Sequence, residues 1–347
     1  MSQSDYGFLS RLLHRVALGF QRLGQLWFDL EESKTEKGPV QEVVRPVFVV
    51  GMARSGSTIL LNALYNTGAF RSLIYRDMPF ILMSGIWKNL SSGTQVQTEK
   101  KERMHGDRLM VDFDSPEAFE EVFWRTFHGP AYIHEDRVVA HNVPAAVRNK
   151  FKKFVQHVLL SRKTLQQARY LSKNNNNLLR IAAIRKIFPD ALVLITFREP
   201  LQQALSLQRQ HQLFLKKHHQ DKFSMDYMMW LGHYEFGLGH KQYVYDDTDN
   251  PHDHASLDYW LRCWRDAYEY ALDTAPADTL FLSYEHMCAA PLTTFTRLFL
   301  ELDLDSAPEQ AAEFYSEADV RDAEGYSSAL YADCSATHSK LVNRHIT

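Results

Sequence analysis

The sequence predicts an α/β fold in which a central parallel sheet is flanked by helices on both faces. Three observations predict it. Continuous apolar runs with β-branched residues, "PVFVVG" (46–51), "ALVLITF" (191–197) and "TLFLSYE" (279–285), read as strands covered on both faces, with "RYLSK" (169–173) a weaker fourth. Segments of helical period lie between them, as parallel strands with crossover helices require. The first run leads directly into a glycine loop and a helix, "VVGMARSGSTILLNAL" (49–64). At 347 residues, of which 45% are hydrophobic and 23% charged, the chain is long enough to bury a sizeable core.

In chain order, Leu9, Leu12, Leu13, Val16, Phe20, Leu23, Trp27 and Leu30 recur with helical period and predict one amphipathic helix of about 23 residues. Its apolar face has two readings, packing on the domain or a second subunit, or lying on a membrane surface, with Arg11, Arg15, Arg22 and Trp27 favouring the latter and Asp29, Glu31 and Glu32 opposing it. The polar stretch "EESKTEKGPVQE" reads as a linker and closes an N-terminal region of residues 1–40. The α/β domain follows over 45–302. Ser115, Pro116 and Glu117 supply an N-cap, a first-turn proline and a dipole-matched acid ahead of "AFEEVFWRTF". Phe151, Phe154, Val155, Val158 and Leu159 mark the face of another helix, and Pro291 opens one more with Leu292, Phe295, Leu298 and Phe299. Helical insertions are expected near 88–165 and 207–258, the second being rich in His, Asp, Tyr and Met without a clean period and read as an irregular insertion or lid. Residues 303–347 form a C-terminal extension.

Composition excludes several classes. Thirty-nine basic against forty-two acidic residues give a net charge of -3, so no general positive field recommends nucleic acid, and any anion site is local. Three cysteines, Cys263, Cys288 and Cys334, are too few and too scattered for a disulfide framework or a zinc site, which fits a reducing, cytoplasmic setting. No apolar run has the length of a transmembrane span, and arginines interrupt the N-terminal stretch where a signal peptide would be uniform. The runs "KKHHQDK" and "NPHDHAS" read as solvated histidines, with no metal expected.

Gly51 and Gly56 stand at the spacing of a phosphate loop, G-x-x-x-x-G, but Ser57 occupies the place of the usual lysine. The backbone cradle survives, Thr58 keeps a hydroxyl, and the positive charge has moved inside the loop to Arg54. A helix follows, whose N-terminal N–H groups and dipole favour an anion. A second constellation is "FREPLQQALS", where Arg198 follows the strand end, Pro200 pre-sets a helical first turn and Ser206 lies two turns further along. Arginine and serine could serve one anion at the carboxyl edge of the sheet, where open α/β folds bind ligands.

"FVVGMARSGSTILL" resembles the 5′-phosphosulfate loop of sulfotransferases, G-x-P-R-S-G-T-T, and "FREPLQQALS" resembles their 3′-phosphate motif, with "LFLSYEHM" similar to the late strand ending in Tyr-Glu. The resemblance spans about 46–302. It implies a P-loop-like three-layer domain and, as donor, 3′-phosphoadenosine 5′-phosphosulfate, a co-substrate that needs neither the missing lysine nor magnesium. By position Arg54, Ser55, Gly56, Ser57 and Thr58 would hold the 5′-phosphosulfate, Arg198 and Ser206 the 3′-phosphate, and Tyr284 would lie near the nucleotide. Ala53, Ser57 and Glu199 depart from the motif without removing a charge the donor needs.

Sulfuryl transfer by in-line displacement needs a positioned hydroxyl, a base and cations near the leaving phosphate. Arg54 is one cation, and Lys173 in "YLSKNNNNLLR" resembles the lysine of protein-tyrosine sulfotransferases. Asp77 in "IYRDMPF" occupies a place comparable to the glutamate base of related enzymes, its plain reading being a surface acid paired with Arg76. His105 and His134 are candidates only if the chain folds them back to the donor. Trp87, Phe113, Trp124 and Phe127 read equally as acceptor-pocket lining and as core. The resemblance thus implies a sulfotransferase acting on a small-molecule or peptidyl hydroxyl acceptor. The alternatives are an ATP-dependent small-molecule kinase on a variant P-loop, for which neither "LITFRE" nor "LFLSYE" supplies a magnesium-binding aspartate, and a non-catalytic nucleotide-binding protein.

Overall fold

The computed structural model describes residues 7–38, 41–91, 101–102, 110–162, 168–245, 253–316 and 320–346. In chain order its main elements are α1 (Phe8–Leu18), α2 (Gln21–Thr35), β1 (Val47–Val50), α3 (Ser57–Tyr65), β2 (Phe70–Arg71), α4 (Ser84–Ser91), α5 (Glu121–His128), α6 (Ala145–Leu160), β3 (Arg169–Lys173), α7 (Ile181–Ile187), β4 (Leu192–Phe197), α8 (Pro200–Gln220), α9 (Lys222–Trp230), α10 (Leu257–Thr274), β5 (Leu280–Ser283), α11 (Tyr284–Ala289), α12 (Pro291–Leu302), α13 (Pro308–Ala312) and α14 (Ser328–Val342). A further parallel pair joins Arg137–Val139 to Gln242–Val244.

All five strands are parallel, in the order β2-β3-β1-β4-β5. The apolar runs explain the layering. Successive side chains of a strand face opposite ways, so Phe48 and Val50 enter one core with Phe151, Phe188 and Ile195, while Val47 and Val49 enter a second with Leu60, Leu64, Leu298 and Leu302. Two cores back to back on one sheet make a three-layer α/β domain. The chain leaves β1 for α3 on one face and returns to β3 and β4 on either side of β1, so the strand order reverses at β1. Such a switch point leaves a crevice beyond the carboxyl ends.

Several expectations are revised. The N-terminal helix is two helices, because Gly19 and Phe20 interrupt it, and α2 runs on through Thr35 into the stretch read as linker. The helix expected from Ser115 starts only at Glu121, leaving Glu117 in an extended approach. The segment from 207 is not irregular at its start: α8 continues to Gln220, and Asp221 caps α9 by accepting from Phe223 N (3.1 Å). Nor are all its histidines solvated: His219 is exposed, but His218 is buried and its Nδ1 accepts from Leu238 N (3.1 Å). The C-terminal extension packs on the domain: Cys334 Sγ donates to Leu261 O on α10, and Ile346 N donates to Phe281 O on β5.

Candidate active site

Between β1 and α3 the backbone makes a turn that requires glycine at two positions. Gly51 has φ +135°, and a Cβ there would stand 2.4 Å from the Thr196 carbonyl oxygen. Gly56 has φ +88°, and its Cβ would stand 2.6 Å from Tyr284 Cδ2. Ser55 is fully buried and latches the loop, donating to Met52 O (2.8 Å) and bonding to Thr196 Oγ1 (2.7 Å) on β4. Its hydroxyl therefore shapes the loop rather than facing the space above it.

That space is a cavity of about 210 Å³. Its walls include Arg54, Gly56, Ser57 and Thr58 from the loop and α3, Lys173 from the end of β3, Arg198 from the end of β4 and Tyr284 after β5. Sequence-distant cations thus converge because their strands end at one edge: Val49 and Lys173 are register partners. The Arg198 guanidinium lies 4.8 Å from the Tyr284 ring centre, and its Nε is 3.9 Å from Glu285 Oε1. Burial pushes the Tyr284 hydroxyl up to about 12, so the ring stays neutral. Ser206 lies on α8 as expected, and its Oγ accepts from Arg54 Nε (3.0 Å), so it meets the loop arginine in this structure.

The run of four asparagines is a polar hub. Asn174 Nδ2 donates to Glu121 (2.7 Å), Asn177 Nδ2 to Glu120 (2.8 Å), Asn176 Nδ2 to Gly232 O (3.2 Å) and Asn175 Nδ2 to Glu235 (2.9 Å). Beneath it Arg180 makes two hydrogen bonds to Glu121 (2.8 and 2.9 Å), entirely buried between the Trp124 and Tyr132 rings. Burial raises the Glu121 carboxyl, but Arg180 outweighs it and the net direction is down, so the pair is ionised. A buried network with this many mutual hydrogen bonds is rigid, and here it fixes the β3 end and the turn that begins at Gly232.

That turn brings residues the sequence reading missed. Glu117, Met228, His233, Glu235 and Phe236 line the same cavity. Glu235 Oε2 is 3.7 Å from His233 Nδ1. Burial works to raise the Glu235 carboxyl, yet His233, then Lys173 and Asn175, hold it down at about 2. Glu117 accepts from Tyr75 OH (2.9 Å) and from Ala118 N (2.9 Å). "GHYEF" has no period and no spacing motif, and Glu117 looked like a helix-start acid; neither carried a signal that sequence alone could use.

Asp77 is not brought to the cavity. Its carboxylate, 2% exposed, accepts from Arg162 Nη2 (2.7 Å) and from Ile74 N (2.9 Å). Burial raises its carboxyl despite Arg162. Nor is it paired with Arg76, which binds Asp114 instead (2.7 Å). His134 is exposed and outside the walls, and His105 lies outside the described residues. Trp124 is core, Trp87 Nε1 donates to Met78 O (2.8 Å), Phe127 packs on Phe28 (5.0 Å between centres), and none of them lines the cavity. Among the described residues no group of three metal-ligating side chains has a geometry that could hold an ion, and no helix is long and apolar enough to cross a membrane. Three cations, a helix N-terminus and an imidazole–carboxylate pair in one chamber can hold a multiply charged anion and take a proton from a neighbouring hydroxyl.

A family model described as the sulfotransferase family matches residues 46–308. Among solved structures, the chain is similar to sulfotransferase STF1 from Mycobacterium tuberculosis H37Rv (14% identity, 97% of this chain and 86% of that one, TM-score 0.47). It is also similar to STF9 from Mycobacterium avium (14% identity, 94% and 83%, TM-score 0.49). A retinol dehydratase in complex with androsterone and the inactive cofactor PAP is a more distant likeness (10% identity, 89% and 83%, TM-score 0.32). No curated protein matches the chain.

Proposed function

Because the chain belongs to the sulfotransferase family, we propose that it transfers a sulfuryl group from 3′-phosphoadenosine 5′-phosphosulfate to a hydroxyl acceptor at this cavity. The observation that carries the reading is the convergence of Arg54, Lys173 and Arg198 with the N-terminus of α3 on one space. The loop fits a donor with a single 5′-phosphate carrying sulfate: its backbone cradle is intact and its cation is Arg54. Ser57, Thr58 and the α3 N–H groups hold the 5′-phosphosulfate, Arg198 and Ser206 serve the 3′-phosphate, and Tyr284 packs beside Arg198.

The acceptor oxygen forms a new S–O bond as the bond to the 5′-phosphate oxygen breaks, and the electron pair stays on that phosphate. Lys173 and Arg54 stabilise the developing charge. The acceptor proton goes to a base in the cavity wall. We place it on His233, with Glu235 orienting the ring through Nδ1 and stabilising the imidazolium that forms, because Asp77 is committed to Arg162.

A thermal-shift titration with 3′-phosphoadenosine 5′-phosphate tests the donor assignment, with ATP plus magnesium as comparison. Ligand at about a hundred times its dissociation constant adds about 2.7 kcal/mol, and Arg198→Ala should abolish the shift. An equal or larger shift with ATP and magnesium would overturn the reading in favour of a kinase.

A further inference from the structure

We infer that the outer face of α1, with the turn between α8 and α9 beside it, is a docking surface for an anionic lipid bilayer. α1 is apolar on two sides. Its inner side buries His14, Ala17 and Leu18, packed with α2 and α9. On the other side Phe8, Leu9, Leu12 and Leu13 are 80, 78, 48 and 38% exposed, and Phe20 follows at 50%. At about 100° per residue the four helical positions share one arc of about 140°. One of its two apolar sides is covered by the domain and the outer one is not.

Charge selects what covers it. From Gly7 to Phe28 the chain has three arginines and no acid, in a protein of net charge -3. Arg15 and Arg22 are exposed. Arg11 donates to Asp221 (3.1 Å), tying α1 to the turn where Lys216, His219 and Lys222 are exposed. The basic run "KKHHQDK", which the nucleotide site does not use, therefore lies beside the apolar strip, although Asp226 pairs with Lys222 (2.7 Å) and offsets part of it. A second copy docked strip to strip about a two-fold axis would bring these like charges together. A bilayer with anionic headgroups accepts both features, the apolar side chains in its interface and the basic rim against the phosphates. No described helix can cross, so the surface lies on the membrane. Docking also places α9, which gives Met228 to the cavity, next to the lipid.

The test is pelleting of the full chain with vesicles of phosphatidylcholine alone or with about a third phosphatidylglycerol. Pelleting with the mixed vesicles should exceed that with neutral ones by about ten-fold and weaken as salt rises. Leu9→Ser with Leu12→Ser, and separately Arg15→Glu with Arg22→Glu, change only exposed positions and should each cut it by about ten-fold with circular dichroism unchanged. Folded wild type that stays in the supernatant with anionic vesicles overturns the inference. So does equal binding to both vesicle types, and so does a lipid-free dimer that the Leu9→Ser, Leu12→Ser variant turns into a monomer, which would give the strip to a second copy.

Discussion

Replacing Glu235 by glutamine keeps the side-chain shape and the Asn175 hydrogen bond but removes a charge held between His233 and Lys173. The native carboxyl sits at about 2 against an ordinary 4.5, so at about 1.4 kcal/mol per pH unit the ionised form stabilises the fold by about 3 kcal/mol at about pH 5. The sign follows from proton uptake. Above pH 4.5 neither state binds the proton and the gain is complete; as pH falls from 4.5 toward 2 the unfolded chain takes it up first, and the gain is lost. By pH 3 about 1.4 kcal/mol remains. Glutamine has no such dependence. Urea unfolding of wild type and Glu235→Gln, analysed with a common denaturant slope, should therefore show their stability difference narrowing by about 2 kcal/mol between about pH 5 and about pH 3. The glutamine's own contacts add an offset that does not vary with pH, so the narrowing is the test. A difference constant across that window would refute the charge arrangement at the heart of the site.

Other expectations follow from the same geometry. His233→Ala should lower kcat by about a hundred- to ten-thousand-fold while the thermal shift with 3′-phosphoadenosine 5′-phosphate is unchanged; turnover within a few-fold of wild type would move the base elsewhere. Asp77→Asn should leave kcat per folded molecule near wild type, because Asp77 is turned onto Arg162 and away from the cavity, and a collapse of kcat with the fold intact by circular dichroism would return the base to Asp77. Gly56→Ala sets a methyl 2.6 Å from Tyr284 at φ +88°, and should cost about 1–2 kcal/mol in chemical denaturation and weaken nucleotide binding as the ring leaves Arg198. Burial holds His240 down at about 3 and His211 at about 4. Each resists a proton that the unfolded chain accepts near pH 6.5, so stability should fall as pH drops from about 6.5 toward 4, a loss that His240→Phe should reduce in acid unfolding scans.

The sheet was readable because its signal is local: four apolar runs marked β1, β3, β4 and β5, and a two-residue strand such as Phe70–Arg71 has no pattern to offer. The glycine turn between β1 and α3 was readable for the same reason, since Gly51, Arg54 and Gly56 lie within six positions. The opposite wall was not. His233 and Glu235 owe their place to hydrogen bonds from Asn175 and Asn176, residues that read as a polar low-complexity run because nothing in a single sequence distinguishes a solvated asparagine from a buried one with a partner. The placement of Asp77 was illegible in the other direction: its distance from the loop suggested chemistry, but the chain turns it inward onto Arg162.

The strand order has a consequence for how the protein is made. Val47 of the central strand pairs with Leu171 and Leu192, about 120 and 145 residues later in the chain. At about 5–20 residues per second of synthesis, the first core strand leaves the ribosome several seconds or more before either neighbour exists. Its glycine loop is made long before Lys173 and Arg198, so under the proposed function it can hold no nucleotide until they arrive. A nascent chain stopped before residue 169 should thus show no nucleotide protection from protease, and binding should switch on only after β4 and β5 have emerged. Long-range parallel pairing of this kind is also slow once synthesis ends, which makes the newly made chain, rather than the finished one, the stage most dependent on chaperones.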